Sequence, residues 1–295
     1  MPAPALFALL VVAVLWGSAF PLIKVGLDGL SVPHLTLLRH LVASLGFLVF
    51  LIVGRARLFP ERRDWGFFVL LGFLGIFVYH TALNAGELRV SAGATSLIIA
   101  TAPGITALLA HFILGQRMPW IAWLGSATSF AGVALIALGD TEGLRLDPFA
   151  GFVLLAAAST SLYFVLQQRL FARYRPLEVI SFVTWGGTLP MLAFLPGLPS
   201  ALQTVPAPSF WAAVYIGIFP SAIAYSLFTY AQTRMPILLV ATFLYSVPVF
   251  SLSLSWWILG EVPSSLTLVG GVIAIAGIVV VQRARERMAA LASAR

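Results

Sequence analysis

Ten long apolar runs, separated by short gaps that hold nearly all of the charge, constrain this chain more than any other feature. They are Ala5–Leu27, Leu35–Val53, Trp65–Gly86, Ser91–Gly115, Pro119–Gly139, Phe149–Phe171, Val179–Leu195, Phe210–Thr233, Ile237–Gly260 and Ser264–Gln282. Each has about the length an α-helix needs to cross a hydrocarbon core, roughly 17–25 residues. The longest gaps, Gly54–Asp64 and Pro196–Ser209, leave no room for a soluble domain. Only 9% of the residues are charged, against about a quarter in soluble domains. The runs lack the in-and-out alternation of an outer-membrane strand, and backbone in lipid must satisfy its own hydrogen bonds. The expected fold is therefore an all-α polytopic membrane protein with ten transmembrane helices. Its first run continues through "LWGSAFPLIKVGL" without a basic leader or a cleavage site, so it reads as a retained helix.

The gaps also give an orientation. With the amino terminus inside, the inner segments hold Arg55, Arg57, Arg62, Arg63, Arg117, Arg169, Arg173, Arg175, Arg234, Arg283, Arg285, Arg287 and Arg295, while the outer loops hold only Arg89 and Arg145. This asymmetry is the positive-inside pattern, and it places both termini in the cytoplasm. The same topology signal accounts for a sequence pI near 10.4, so no nucleic-acid partner is expected. There is no cysteine, which excludes disulfides and thiolate metal sites. No paired-histidine zinc motif, nucleophile elbow or phosphate-binding glycine loop is present. Neither a cofactor nor an enzymatic reaction is expected.

A second regularity runs through the apolar segments. At a constant offset of 145, Gly72 matches Gly217, Pro103 matches Pro248, and Leu114-Gly115 matches Leu259-Gly260. Gly125 likewise matches Gly270, Ala131-Gly132 matches Ala276-Gly277, Lys24 matches Arg169 and Arg89 matches Arg234. One ungapped register points to duplication. Five helices is an odd number, so the second copy enters the membrane from the opposite side. The expectation is a 5+5 inverted repeat, with a first unit at 1–140, a second at 146–285 and a cytoplasmic tail at 286–295. Inverted repeats of this kind belong to transporters whose site lies at the midplane between the halves.

The stretches "LWGSAFPLIK", "LTLLRHLVASL", "ATAPGITALLAHFILGQRM" and a second copy of the last ending in "LGE" resemble the EamA branch of the drug/metabolite transporter superfamily. The resemblance covers essentially the whole chain. It implies a 5+5 inverted fold in a bacterial inner membrane and the export of amino acids or related small metabolites. The family's Leu-Gly-Glu ending survives at Glu261 but is replaced by Gln116 in the first half.

Every acidic residue falls in a gap or at a span end, so the mid-membrane carboxylate of a proton relay or cationic-drug site is missing. Arg39 and His40 stand near the start of the second run, where Arg39 could hold a carboxylate, although snorkelling to the headgroups is the simpler reading. His80 lies deeper, beside Tyr79 and one turn before Asn84, and its counterpart in the repeat is Tyr225. Trp65, Trp120, Trp123 and Trp211 sit at span ends, as interfacial anchors do. Trp16, Tyr163, Trp185 and Tyr245 instead occupy span interiors. Prolines at 21, 103, 220 and 248 free backbone carbonyls that need a neighbouring helix or a cavity, so Pro21, Pro103, Pro220 and Pro248 are expected on cavity walls. The candidate substrate-binding residues are Trp16, Ser18, Tyr79, His80, Asn84, Tyr163, Trp185, Tyr225, Tyr245 and Ser246. The expected function is export of amino acids, aromatic or large apolar ones favoured, by alternating access. A nucleotide-sugar or phosphorylated-sugar carrier and a passive channel are the alternatives. The expected partners are a small-molecule substrate and membrane lipid, and a monomer suffices.

Overall fold

A computed structural model describes residues 3–115, 118–140, 147–232, 234–235 and 243–293, with the backbone alone for 232, 285 and 288–293. Among the described residues the protein is helical without strands. Nine helices are long and apolar enough to cross a membrane. They are α1 (Ala3–Leu27), α2 (Val32–Val53), α3 (Arg62–Gly86), α4 (Ala92–Leu114), α5 (Trp120–Gly139), α6 (Pro148–Leu170), α7 (Pro176–Phe194), α9 (Ala207–Ala231) and the Ser265–Ala284 part of α11 (Ser265–Ser293). A shorter apolar helix, α10 (Val247–Leu259), stands in the ninth predicted run. The start of that run, residues 237–242, lies outside the described residues, as does Gln116. A short helix, α8 (Leu198–Thr204), occupies the Pro196–Ser209 gap and precedes α9. The predicted tail begins inside α11, whose helix continues to Ser293.

Local chemistry fixes the helix ends. Ser31, Ser91 and Asp147 cap α2, α4 and α6, their side-chain oxygens accepting from the backbone N–H of His34, Ala94 and Phe149. Such caps satisfy donors that have no intrahelical partner. Proline in the first turn of α2, α6 and α7 costs nothing, because its missing N–H would be unpaired there. At the far ends of α4 and α10, Gly115 (φ 65°) and Gly260 (φ 70°) take the left-handed conformation that stops a helix. These are the two Leu-Gly pairs seen in the sequence.

Several helices are interrupted in mid-membrane. A π-helical stretch, Phe73–Val78, sits within α3, and a second, Gly217–Ile223, lies within α9. In α9 the cause is Pro220, which cannot donate to the Ile216 carbonyl four residues back. The Ser221 hydroxyl donates to that carbonyl instead, at 2.8 Å. Helix α4 breaks into Ala92–Ile99 and Ala102–Leu114, just before Pro103. Turn residues Tyr245 and Ser246 precede α10 and Pro248 in the same way.

Small residues let the spans approach closely, as membrane helices require without a hydrophobic drive between them. Helices α5 and α11 meet backbone to backbone. A Cβ on Gly125 would stand 2.6 Å from the Gly277 carbonyl oxygen, and one on Gly132 would stand 2.6 Å from that of Gly270. Gly217 of α9 packs on the Arg39 carbonyl and Val42 of α2, and Gly72 of α3 packs on Gly186 and Gly187 of α7. Around these contacts lie buried clusters such as Phe68, Tyr174 and Phe182 between α3 and α7.

Candidate functional site

A cavity of about 440 Å³ opens between α1, α2, α3, α4, α6, α9 and α10. This volume falls within the roughly 300–1,000 Å³ of small-molecule sites. At one end its wall is buried Phe20, Ile23 and Leu83; at the other it reaches exposed Gln168 and Phe171 at the end of α6. The two helix breaks face it: Ile99, Ala100, Ala102 and Pro103 on one side, and Leu244, Tyr245, Val247 and Pro248 on the other. Because Pro103 and Pro248 have no N–H, the carbonyls of Ile99 and Leu244 lose their usual helical donor where they border the cavity.

Of the predicted residues, Trp16, Tyr79, His80, Tyr225, Tyr245, Pro103, Pro220 and Pro248 line this cavity. The Trp16 indole N–H donates to the Pro220 carbonyl at 3.0 Å, so the proline that breaks α9 also fixes the ring. Tyr225 and Phe228 stand 5.2 and 5.0 Å from the Trp16 ring, forming an aromatic wall. His80 packs on His40 with centroids 4.4 Å apart, and both of its ring nitrogens lack a protein partner.

The remaining predicted residues lie elsewhere. Ser18 shares a hydrogen bond with Tyr215 and donates to the Leu15 carbonyl. Asn84 donates to the Thr36 hydroxyl at 2.8 Å, tying α3 to α2. Trp185 donates to the Ser44 carbonyl and packs on Phe182. Ser246 donates back to the Phe243 carbonyl, and Pro21 is buried within α1 away from the cavity lining. Tyr163 lines a small neighbouring cavity with Tyr225 and Phe228. It fits there because Gly75 of α3 has no side chain; a Cβ on Gly75 would stand 2.5 Å from the tyrosine ring.

Arg39 requires a correction. It does not snorkel: it is 2% exposed and lines the cavity. Its Nη2 donates to the Ser221 hydroxyl at 3.4 Å, while Nε and Nη1 have no partner. No ion pair among the described residues involves it, and no acidic side chain lines the cavity. Position along α2 signalled membrane depth, but not which face looks inward.

The acids gather at the ends of the bundle. Lys24 of α1 pairs with Glu261, just past α10, at 3.2 Å. The other oxygen of Glu261 accepts from the backbone N–H of Ala92 in the first turn of α4. Asp140 accepts from both the backbone N–H and the hydroxyl of Ser91. Glu87, next to the end of α3, is only 1% exposed and neither carboxyl oxygen has a partner. Burial holds its carboxyl well above the usual range, opposed by Lys24 and reinforced by Glu261. The sequence reading put Glu87 correctly at a span end but missed its burial.

Residues 3–138 and 149–283 each match the EamA-like transporter family. The chain is 39% identical over 264 residues to the uncharacterized transporter YdfC of Bacillus subtilis (strain 168), covering 90% of this chain and 86% of that one. It is also 39% identical over 280 residues to a probable terminal-alkyne amino-acid exporter of Streptantibioticus cattleyicolor, covering 95% and 93%. A solved crystal structure aligns over 98% of this chain and 99% of its own with a TM-score of 0.64. At 20% identity that likeness speaks for the fold alone.

Proposed function

The chain belongs to the EamA-like transporter family, and on that premise we propose that it exports amino acids, preferring aromatic and large apolar ones, by alternating access. The observation that carries this reading is the cavity. It couples an apolar ring wall of Trp16, Tyr225 and Phe228 to a few buried polar groups and two broken helices. An aromatic side chain stacks on such a wall, while the Ile99 and Leu244 carbonyls offer acceptors to an ammonium group. The similarity to an amino-acid exporter supports the substrate class.

The mechanism rests on two inverted five-helix halves in a bacterial inner membrane with both termini cytoplasmic. Several observations support the repeat. The family matches twice along the chain. The left-handed glycines at 115 and 260 and the breaks ahead of Pro103 and Pro248 recur at the offset of 145. The α5–α11 seam is reciprocal: Gly125 meets Gly277 while its counterpart Gly270 meets Gly132, the counterpart of Gly277. Such self-complementary pairing is what a two-fold axis produces. The arginine asymmetry of the loops supports the orientation.

The test is transport by the purified protein in proteoliposomes, with phenylalanine, leucine, threonine and a nucleotide sugar as solutes. Saturable phenylalanine transport is expected, with Tyr225→Leu losing phenylalanine more than threonine and the exposed Trp120→Ala leaving that ratio unchanged. Preference for the nucleotide sugar, or equal losses for both amino acids in Tyr225→Leu, contradicts the reading.

A further inference from the structure

We propose that Arg39 is the receptor for the carboxylate of the transported solute, so that the cavity selects molecules carrying a single carboxylate. The inference rests on the exporter reading and names the chemistry that its site demands. A guanidinium stays charged in proteins and presents donors in a fork matched to a carboxylate. Here the fork is nearly empty. Nη2 makes one long hydrogen bond to Ser221, and Nε and Nη1 have no protein partner although the residue is buried against the cavity. An unpaired buried charge is expensive, and inside a membrane such a residue marks a solute pathway. The missing partner is an anion delivered from the cavity, since no acidic side chain lines it.

The number of cations decides between anions. Arg39 is the one lysine or arginine among the described lining residues, which suits a monoanion better than a phosphate dianion or a diphosphate. The receptor is also one-sided. At the offset of 145 from Arg39 the second half carries Thr184, so a carboxylate anchored on α2 leaves the solute's remaining groups to the aromatic wall and the broken helices. Ser221 is not left stranded if Arg39 is replaced, because its hydroxyl donates to the Ile216 carbonyl. Removal of the guanidinium therefore orphans no protein group, which separates a receptor from a structural arginine.

The experiment uses the full chain in proteoliposomes, with phenylalanine and two analogues each lacking one end: 3-phenylpropionate, without the amine, and phenethylamine, without the carboxylate. In the wild type, 3-phenylpropionate is expected to compete with phenylalanine, and phenethylamine to compete at least about tenfold less well. Arg39→Gln should raise the half-saturating phenylalanine concentration by about 10- to 100-fold, the scale of a lost charge-assisted hydrogen-bond pair. It should abolish the preference for 3-phenylpropionate without lowering the melting temperature of the purified protein. Arg39→Lys should recover part of the affinity. Equal competition by the two analogues, or a melting temperature in Arg39→Gln that falls together with transport of every solute, overturns the assignment while leaving the exporter reading intact. A wild type that moves none of the three solutes overturns both.

Discussion

The two ends of the helix bundle are held by different chemistry. At the end bearing the α1–α2 and α3–α4 turns, the Lys24–Glu261 pair and the Glu261–Ala92 hydrogen bond join α1, α4 and α10 beside the closed floor of the cavity. At the opposite end the ion pairs are Arg57–Glu61 and Arg63–Glu61 within one loop and, between elements, Arg173–Asp64 at 2.9 Å, with the Tyr174 hydroxyl donating to Asp64 at 2.7 Å. That tie joins the start of α3 to the α6–α7 turn, to one side of the mouth at Gln168 and Phe171. By sequence register the counterparts of Lys24 and Glu261 are Arg169 and Gln116. Arg169 is exposed, and the register offers it a neutral amide where Lys24 has a carboxylate. On the proposed repeat, the sequence register gives one gate an acid–base pair and the other a base facing an amide. On the proposed orientation, this difference favours a resting state closed at the Lys24 end and reachable from the cytoplasm, which the proposed export function requires for loading.

Breaking the Lys24–Glu261 pair should have the largest effect. Glu261→Gln keeps an acceptor for the Ala92 N–H but removes the ion pair. Because the native chain has no cysteine, a single Leu83→Cys at the cavity floor provides a clean accessibility probe. Labelling of that probe from outside should rise about five- to tenfold when Glu261→Gln is added, the population shift of a partly buried pair. No change would show that the pair does not gate that end. Adding the missing acid with Gln116→Glu should act in the same direction by about two- to fivefold, and reduced outside labelling would contradict the inferred asymmetry.

A smaller effect should appear in stability against pH. Burial raises the Glu87 carboxyl, so the folded state favours its protonated form. The stability this gives is fully present below the ordinary carboxylate range and declines as pH rises toward the folded value. Relative to the wild type, Glu87→Gln should therefore melt progressively higher as pH rises from 5 to 8, by up to a few degrees. A difference between the two melting temperatures that does not change with pH contradicts the assignment. The smallest effect is expected at the other end. Arg173 is 37% exposed, and replacing it leaves Asp64 bonded to Tyr174, so Arg173→Gln should cost at most about 1 kcal/mol. It should change labelling of the Leu83→Cys probe less than twofold; a larger change would make the two ends equivalent.

Much of this organisation was legible in the sequence. The length of the apolar runs and the arginine-rich gaps anticipated the nine described spans, and Pro103, Pro220 and Pro248 marked helix interruptions that line the cavity. Hydropathy reports depth, but not facing. Arg39 therefore read as a headgroup contact and Glu87 as an ordinary span-end acid, although both turn into the bundle. The same limit affected the aromatics. Trp16 and Trp185 are alike as interior tryptophans, yet one donates to a cavity-lining proline carbonyl and the other to Ser44 in the packed α2–α7 contact. Tyr163 could be located only once the space left by Gly75 was known. The π-helical stretch in α3 has no proline to announce it.

Counterflow tests the central claim most directly. Proteoliposomes loaded with unlabelled phenylalanine are diluted into a trace of labelled phenylalanine, and internal label is followed over time. A site that opens to one side at a time predicts a transient accumulation of label above its equilibrium level, lost when the internal phenylalanine is omitted. Label that rises only to equilibrium, at a rate proportional to concentration and indifferent to internal solute, would identify an open passage and contradict the account.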